Sequence, residues 1–532
     1  MGRWTSRRFR RAVVVLSATV GLVVGSLGLT SAGASTHAAK KGGFDPNGTL
    51  KFGLELNNRS PQLVAFDPST STTTNDVWNL SFIYDTLLYP PLKTGKYEPA
   101  LAASYQVVDN STIEVTLRPN LTFQDGEKLD ADAVKASIMR NLATNNPSWN
   151  PAFKTLDSVE VLSPTKFRFH LKADAYAFLP LLAARETMVV SPKAAAAGTL
   201  EKHPVGAGPF EFKEYQPEQL LTMTRYKNYW NVKNVHIGEI DMVSTITGPP
   251  RVNSLLTDQV DAAGINVPDV GGVKGRDDIK VTTKAGDSFI YTQVCKNKAP
   301  FDKVEVRKAF SLAINRDELN QAAFQGLGKP AYMAWAEGTP YYVAALAKQQ
   351  KYNPKLAKQL LAKAGYKKGF SVNTAIVEGY APTETMATVL KAQLAKVGIN
   401  LDIKVVGAAG FAQEVWIEKR FDTATVPWVR SGVENTVMFA DGFQANLCDF
   451  HSDQLNALRD KILATPPGTP ELKTLWAKWE KMVADNALVT YQLFPANVVA
   501  FHSKRVDGNF QTLYAGPSAQ FLDWTAFRVK KT

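Results

Sequence analysis

Between residues 112 and 142 the spacing of apolar positions changes from that of a strand to that of a helix. Ile113, Val115 and Leu117 alternate with Thr112, Glu114 and Thr116, the pattern of a strand with one buried face, and Gln124-Asp125-Gly126-Glu127 supplies the turn after it. Val134, Ile138 and Leu142 then recur at helical spacing. Asp130 can accept the free N–H groups of the first turn, with Leu129 and Val134 as a hydrophobic staple. The same rhythm returns later. Asn353-Pro354 predicts an N-cap and first helical residue, Leu356, Leu360, Leu361 and Ala364 an apolar face, and Gly365 the C-terminal cap. A helix from about Glu384 carries Met386, Leu390, Leu394 and Val397 and stops at Gly398, after which Ile399, Leu401, Ile403 and Val405 alternate as a strand. Such alternation predicts an α/β protein whose helices cover a sheet.

The first residues follow another pattern. Arg3, Arg7, Arg8, Arg10 and Arg11 precede an apolar run from Ala12 to Leu29 that ends in Ala32-Gly33-Ala34, the layout of an export signal (1–34) cleaved after Ala34. The run approaches membrane-spanning length, so a retained anchor is the alternative. Ser6-Arg7-Arg8-Phe9 leaves Sec and twin-arginine export both open. Residues 35–48 predict a flexible mature N-terminus. No cysteine near the signal offers a lipid attachment site, so the expected product is extracytoplasmic (periplasmic, cell-envelope associated or secreted) and not a lipoprotein.

At 532 residues, 45% hydrophobic and 21% charged, the chain calls for two or three globular domains. Subtracting the five leader arginines from the formal charge of +12 leaves +7, with basic residues scattered among acids. That excludes a nucleic-acid patch and leaves some bias toward anionic solutes or membrane surfaces. Cys295 and Cys448 are the two cysteines, and in an exported chain they predict a disulfide. G-x-S-x-G, H-E-x-x-H and P-loop motifs are missing, and His37, His170, His203, His236, His451 and His502 show no metal-ligand spacing. No catalytic residue, metal or cofactor is expected.

Longer motifs give the class. PVGAGPFEFKEYQPEQLLTMTRYKNYW (Pro204 to Trp230) and the run from Phe66 to Arg140 resemble the signature segments of family 5 extracellular solute-binding proteins, the dipeptide-, oligopeptide- and nickel-binding receptors of ABC importers. APFDKVEVRKAFSLAINRDEL (Ala299 to Leu319), YNPKLAKQLLAKAGY (Tyr352 to Tyr366) and LVTYQLFPANVVAFHSKRVDGN (Leu488 to Asn509) continue the resemblance in order. It implies a type II periplasmic-binding-protein-like α/β fold, two lobes around a hinged cleft plus an extra inserted subdomain. The first lobe is then expected at 49–77, 204–288 and 491–532, the inserted subdomain at 78–203, and the second lobe at 289–490.

It also implies a non-enzymatic, monomeric receptor for a small-molecule or peptide ligand that works with a membrane ABC permease and binds no nucleic acid. Phe421 to Phe443, FDTATVPWVRSGVENTVMFADGF, is similar to the segment whose tryptophan lines the cleft, which makes Trp428 a candidate ligand contact; a core tryptophan is the alternative. Peptide-binding members carry an aspartate three residues later, where this chain has Ser431, preceded by Arg430. Arg430 would repel an ammonium group and offer a bidentate fork to a carboxylate or phosphate, while Glu434 could replace the missing aspartate. Arg185 resembles the arginine that nickel-binding relatives turn toward a metal chelate, so a receptor for an anionic or metal-chelate molecule is the alternative within the class. Asn58, Arg59, Tyr291 and Gln293 are further cleft candidates by topology. A secreted hydrolase or a receptor for a peptide signal is the alternative outside it.

Overall fold

The structure, a computed structural model, describes residues 43–532 apart from 55–64, 72–73, 90–96, 145, 147–150, 286–287, 408–409, 429–431, 444–445, 509–511, 517–518, 523 and 532. The leader expected at 1–34 lies outside the described residues. Three sheets carry the architecture. A seven-stranded sheet runs in the order Ile279–Ala285, Ala496–His502, Ala262–Ile265, Thr49–Leu54, Glu239–Ser244, Leu220–Arg225 and Phe210–Gln216. Its central strand Thr49–Leu54 is parallel to both neighbours, and the outer pairings are antiparallel.

A six-stranded sheet runs in the order Lys329–Pro330, Val489–Phe494, Phe289–Val294, Thr423–Trp428, Phe370–Val377 and Ile399–Val406. A four-stranded antiparallel sheet comprises Ala102–Asp109, Thr112–Leu117, Lys166–Leu171 and Leu156–Ser163. Both larger sheets are mixed and covered on two faces. Leu50 and Phe52 pack on one side of the first with Leu80, Ile83 and Met188, while Ala263 and Ala500 share a core on its other side with Ile290, Phe310 and Leu390.

Locally, the predicted devices are present. The helix Ala131–Thr144 begins with Ala133 N–H donating to the Asp130 carboxylate at 3.1 Å, and Val134 and Ile138 are fully buried against the four-stranded sheet. The helix Pro354–Lys363 begins with Leu356 N–H donating to Asn353 at 3.0 Å, and Gly365 ends it at φ +89°. Its apolar face differs from the expectation: Leu356 is 38% exposed, whereas Ala357, Leu361 and Ala364 are buried. The reason is spacing, because 357, 361 and 364 form one stripe that faces the neighbouring helix Val304–Leu312 and leaves Leu356 on its flank.

In the strand Ile399–Val406 the predicted alternation holds at Ile399, Leu401 and the half-buried Ile403 and then changes side. Val405 is 57% exposed, and Val406, of opposite parity, packs on the other face with Phe411 and Val415.

The two longest family-like motifs meet in space. Gly206 N–H donates to Gln124 Oε1 and Gln124 N–H to the Gly206 carbonyl, both at 2.9 Å, and Gly208 N–H donates to Ile83 O at 2.9 Å. A Cβ on Gly206 would overlap the Ile83 carbonyl oxygen, and one on Gly208 would lie 2.6 Å from the Ile83 carbonyl carbon. The glycines are there for backbone approach. At the end of the same motif, Tyr229 Oη and Trp230 Nε1 each donate to buried Asp85 Oδ2 at 2.9 Å. Burial pushes the Asp85 carboxyl up to about 6 against the pull of these donors.

Candidate functional site

The chain crosses between the two large sheets twice, by neighbouring routes. Strands Ile279–Ala285 and Ala496–His502 are antiparallel partners with Ala285 opposite Ala496. In the other sheet Phe289–Val294 and Val489–Phe494 are antiparallel partners with Ile290 opposite Leu493. One connection therefore runs from Ala285 to Phe289 and the other from Phe494 to Ala496. A few terminal residues on two adjacent strands are the kind of segment that absorbs a domain rotation. Phe289 is also opposite Trp428, so this tryptophan stands at the sheet end where both connections enter.

Trp428 is 5% exposed. Its ring meets Tyr291 edge-on at 6.0 Å and Phe443 at 6.3 Å, and its Nε1–H donates to Asn435 Oδ1 at 2.9 Å. Tyr291 and Gln293 lie two apart on one strand and so share a face; both are fully buried, and Gln293 Oε1 accepts from Leu447 N–H at 3.3 Å. The structure thus packs Trp428 on Tyr291 and places Gln293 further along the same strand, against Leu447.

Arg185 is elsewhere. It is 1% exposed, its Nη1 donates to Ser71 Oγ at 3.3 Å, and its neighbours Ala183 and Met188 belong to cores other than that of Trp428. The turn it touches is held by Arg140 Nη1 donating to Asp67 Oδ1 at 3.0 Å and by Asn146 donating to the Ser69 and Ser71 carbonyls. Asn58, Arg59, Arg430 and Ser431 lie outside the described residues, as does the side chain of Glu434, whose backbone belongs to the 3-10 helix Gly432–Phe439.

The core of Trp428 also holds the disulfide expected from the two cysteines, and next to it a buried lysine that sequence reasoning missed. Cys295 and Cys448 form a disulfide with Cα atoms 5.4 Å apart across 153 positions of sequence. Lys296, beside it, is buried with its ammonium 4.9 Å from the Phe450 ring centre and 5.4 Å from that of Phe439. Burial, aided by Arg307, brings its pKa down to about 7. Asn435 falls within the segment that resembles the family motif, but only the folded chain shows that it meets the indole. Arg316, from the AINRDEL motif, is 2% exposed and donates to the carbonyls of Ala331, Tyr491 and Gln350 and to Ser311 Oγ, an architectural role. Among the described residues no group of three or more His, Cys, Asp or Glu could hold a metal.

A sequence model of bacterial extracellular solute-binding proteins, family 5 middle, matches residues 96–446. The chain belongs to this family, whose members are extracytoplasmic binding proteins rather than enzymes. The glutathione-binding protein GsiB of Escherichia coli is 30% identical over 335 residues, 61% of this chain and 64% of that protein, so the match spans just under two thirds of the relative's length. The ABC transporter substrate-binding protein CtaP of Listeria monocytogenes has the same fold, with a TM-score of 0.78 at 20% identity over 91% of this chain and 100% of that one. DppA of Helicobacter pylori, solved in complex with peptide STSA, gives a TM-score of 0.72 at 22% identity over 92% and 99%. The α/β type II periplasmic-binding-protein class expected from the motifs is the observed fold. Among the described residues no helix is long and apolar enough to cross a membrane.

Proposed function

We propose that this protein is the substrate-binding component of an ABC importer, capturing a peptide or related small solute between two lobes and delivering it to a permease. The observation that carries this reading is the paired connection at 285–289 and 494–496, with Trp428 in register beside it. A two-strand hinge lets a ligand that touches both lobes draw them together. We place a first lobe at 49–77, 204–288 and from about 495 to 532, an inserted subdomain at 78–203 and a second lobe from 289 to about 494; the last boundary lies a few residues beyond the expected 490/491 because Val489–Phe494 pairs within the six-stranded sheet. Peptide is the leading substrate class, since the name of the Escherichia coli relative carries glutathione and the Helicobacter pylori neighbour was solved with a peptide. We read the mature chain as an exported monomer that begins near Ser35, binds no nucleic acid and catalyses no reaction.

A second reading, an anionic or chelated solute, rests on Arg430 and Ser431. Because Asn435 already takes the indole N–H, Trp428 offers a solute its apolar ring and no donor, so charge recognition falls to neighbours such as Arg430. Native mass spectrometry of protein purified without denaturation should find a retained small solute. Calorimetry with that solute then separates the readings. A loss of about 2 to 5 kcal/mol in Arg430→Ala supports the anionic one. Unchanged affinity there, with dipeptide binding abolished in Glu434→Gln, supports an ordinary peptide receptor. Covalent turnover without saturable binding would sink both.

A further inference from the structure

The disulfide, the buried lysine and Asn435 belong to one arrangement. From Gln293 to Asn297 the strand and its extension grip the chain that follows Gly432 at four points. Gln293 accepts from Leu447 N–H, Cys295 is bonded to Cys448, the Lys296 ammonium sits over both the Phe439 and Phe450 rings, and Asn297 Nδ2 donates to the Cys448 carbonyl at 2.5 Å. Cys448 and Asp449, at φ 59° and 50°, are consecutive non-glycine residues in the left-handed region. Such residues keep that conformation where their surroundings impose it. Asn446 Nδ2, donating to the Phe450 carbonyl at 2.7 Å, braces the same turn. The other end of this fastened chain is the 3-10 helix Gly432–Phe439, and its Asn435, 4% exposed, accepts from the Trp428 indole.

We propose that Asn435 is the positioning residue for Trp428 and that the Cys295–Cys448 bridge, on the far side of the same strap, holds Asn435 in place. The proposal rests on reading Trp428 as a wall of the solute cleft. The indole has one donor. With that donor tied to Asn435 and the ring wedged edge-on between Tyr291 and Phe443, its plane is fixed before solute arrives. Preorganisation of this kind raises affinity without adding a contact.

The test uses the full chain labelled with 15N-tryptophan, the Trp428 indole signal being assigned through Trp428→Phe. Trp230 and Trp524, which pack in the core of the seven-stranded sheet, serve as internal controls. In Asn435→Leu and in Cys295→Ser/Cys448→Ser the Trp428 signal should shift and its N–H exchange should quicken about tenfold, as expected for a lost buried hydrogen bond. Asn435→Asp keeps an acceptor and should restore both. A Trp428 signal unmoved in Asn435→Leu, or an aspartate variant no better than leucine, overturns the positioning role. An unmoved signal in a folded double-serine variant overturns the part assigned to the disulfide, and if that variant does not fold, exchange at Trp428 in the folded wild type before and after reduction of the bridge replaces it, an unchanged rate again overturning that part. A casein digest added to the wild type probes the parent reading separately. A peptide-induced shift of Trp428 supports the cleft, whereas no shift alongside an intact Asn435 effect removes the cleft and leaves the positioning standing.

Discussion

Gly206 and Gly126 both occur in motifs that resemble the family pattern, yet they are glycines for different reasons. At Gly206 a side chain would collide with the Ile83 backbone, which cannot rotate away; at Gly126 space is open and the constraint is φ +83°. Gly206→Ala should therefore cost about 1–3 kcal/mol or more, through backbone displacement. Gly126→Ala should cost about 1 kcal/mol, through the left-handed conformation alone. Urea unfolding that ranks the two variants in the opposite order would refute this account.

Asp85 adds a pH dependence. Its folded pKa of about 6 lies above the ordinary 3.8 because burial disfavours the charge. The stability it contributes is fully present below about 3.8 and is gone once the pH has risen through about 6, an effect of at most about 3 kcal/mol. Asp85→Asn should flatten that interval in thermal melts taken from pH 4 to 7.

At the scale of elements, the helix Pro470–Asp485 shows what amphipathic spacing does and does not reveal. Leu472, Trp476, Trp479 and Val483 are buried as their spacing requires, and Glu480 is buried with them at 1% exposure. Its carboxyl accepts a hydrogen bond from the Ala334 backbone, its Oε1 has no partner among the described residues, and burial pushes its pKa up to about 8. At neutral pH the side chain is therefore a neutral acid. Its contribution is complete below about 4.5 and lost as the pH passes about 8, up to about 5 kcal/mol in all. Glu480→Gln should match the wild type near pH 5 and exceed it near pH 8.5 in chemical denaturation. Equal pH profiles for the two proteins would show that the buried carboxyl does not carry the effect. The same scale explains the departures at Leu356 and Val405: a pattern gives the period, but which stripe is covered depends on the neighbour that packs there.

At the scale of the molecule, two adjacent strand connections join the two large sheets, which also share the core that holds Ala263, Ala500, Ile290 and Phe310. On the proposed reading, a solute that contacts both lobes has a differential affinity for the closed form and shifts the population toward it. Small-angle scattering should give a smaller radius of gyration with the co-purified solute than after its removal. No contraction at saturation would count against capture by closure.

Sequence alone determined the class, because the constraints behind it are local or backbone-level. The glycine pair of PVGAGPF, the caps at Asp130, Asn353 and Gly365 and the alternation from Thr112 to Leu117 each bind a residue type to a conformation. The two cysteines of an exported chain were enough to predict a bridge. Tertiary structure decided what surrounds each side chain. It placed Trp428 against Asn435 and Tyr291, put Arg185 beneath the Asp67 turn and closed Phe439 and Phe450 over Lys296. It also left the Glu480 carboxyl buried beside the Ala334 backbone. Most of these are pairings between residues far apart in sequence, Trp428 with Asn435 is a contact across an irregular turn, and the charge of Glu480 depends on burial; no local period encodes any of them.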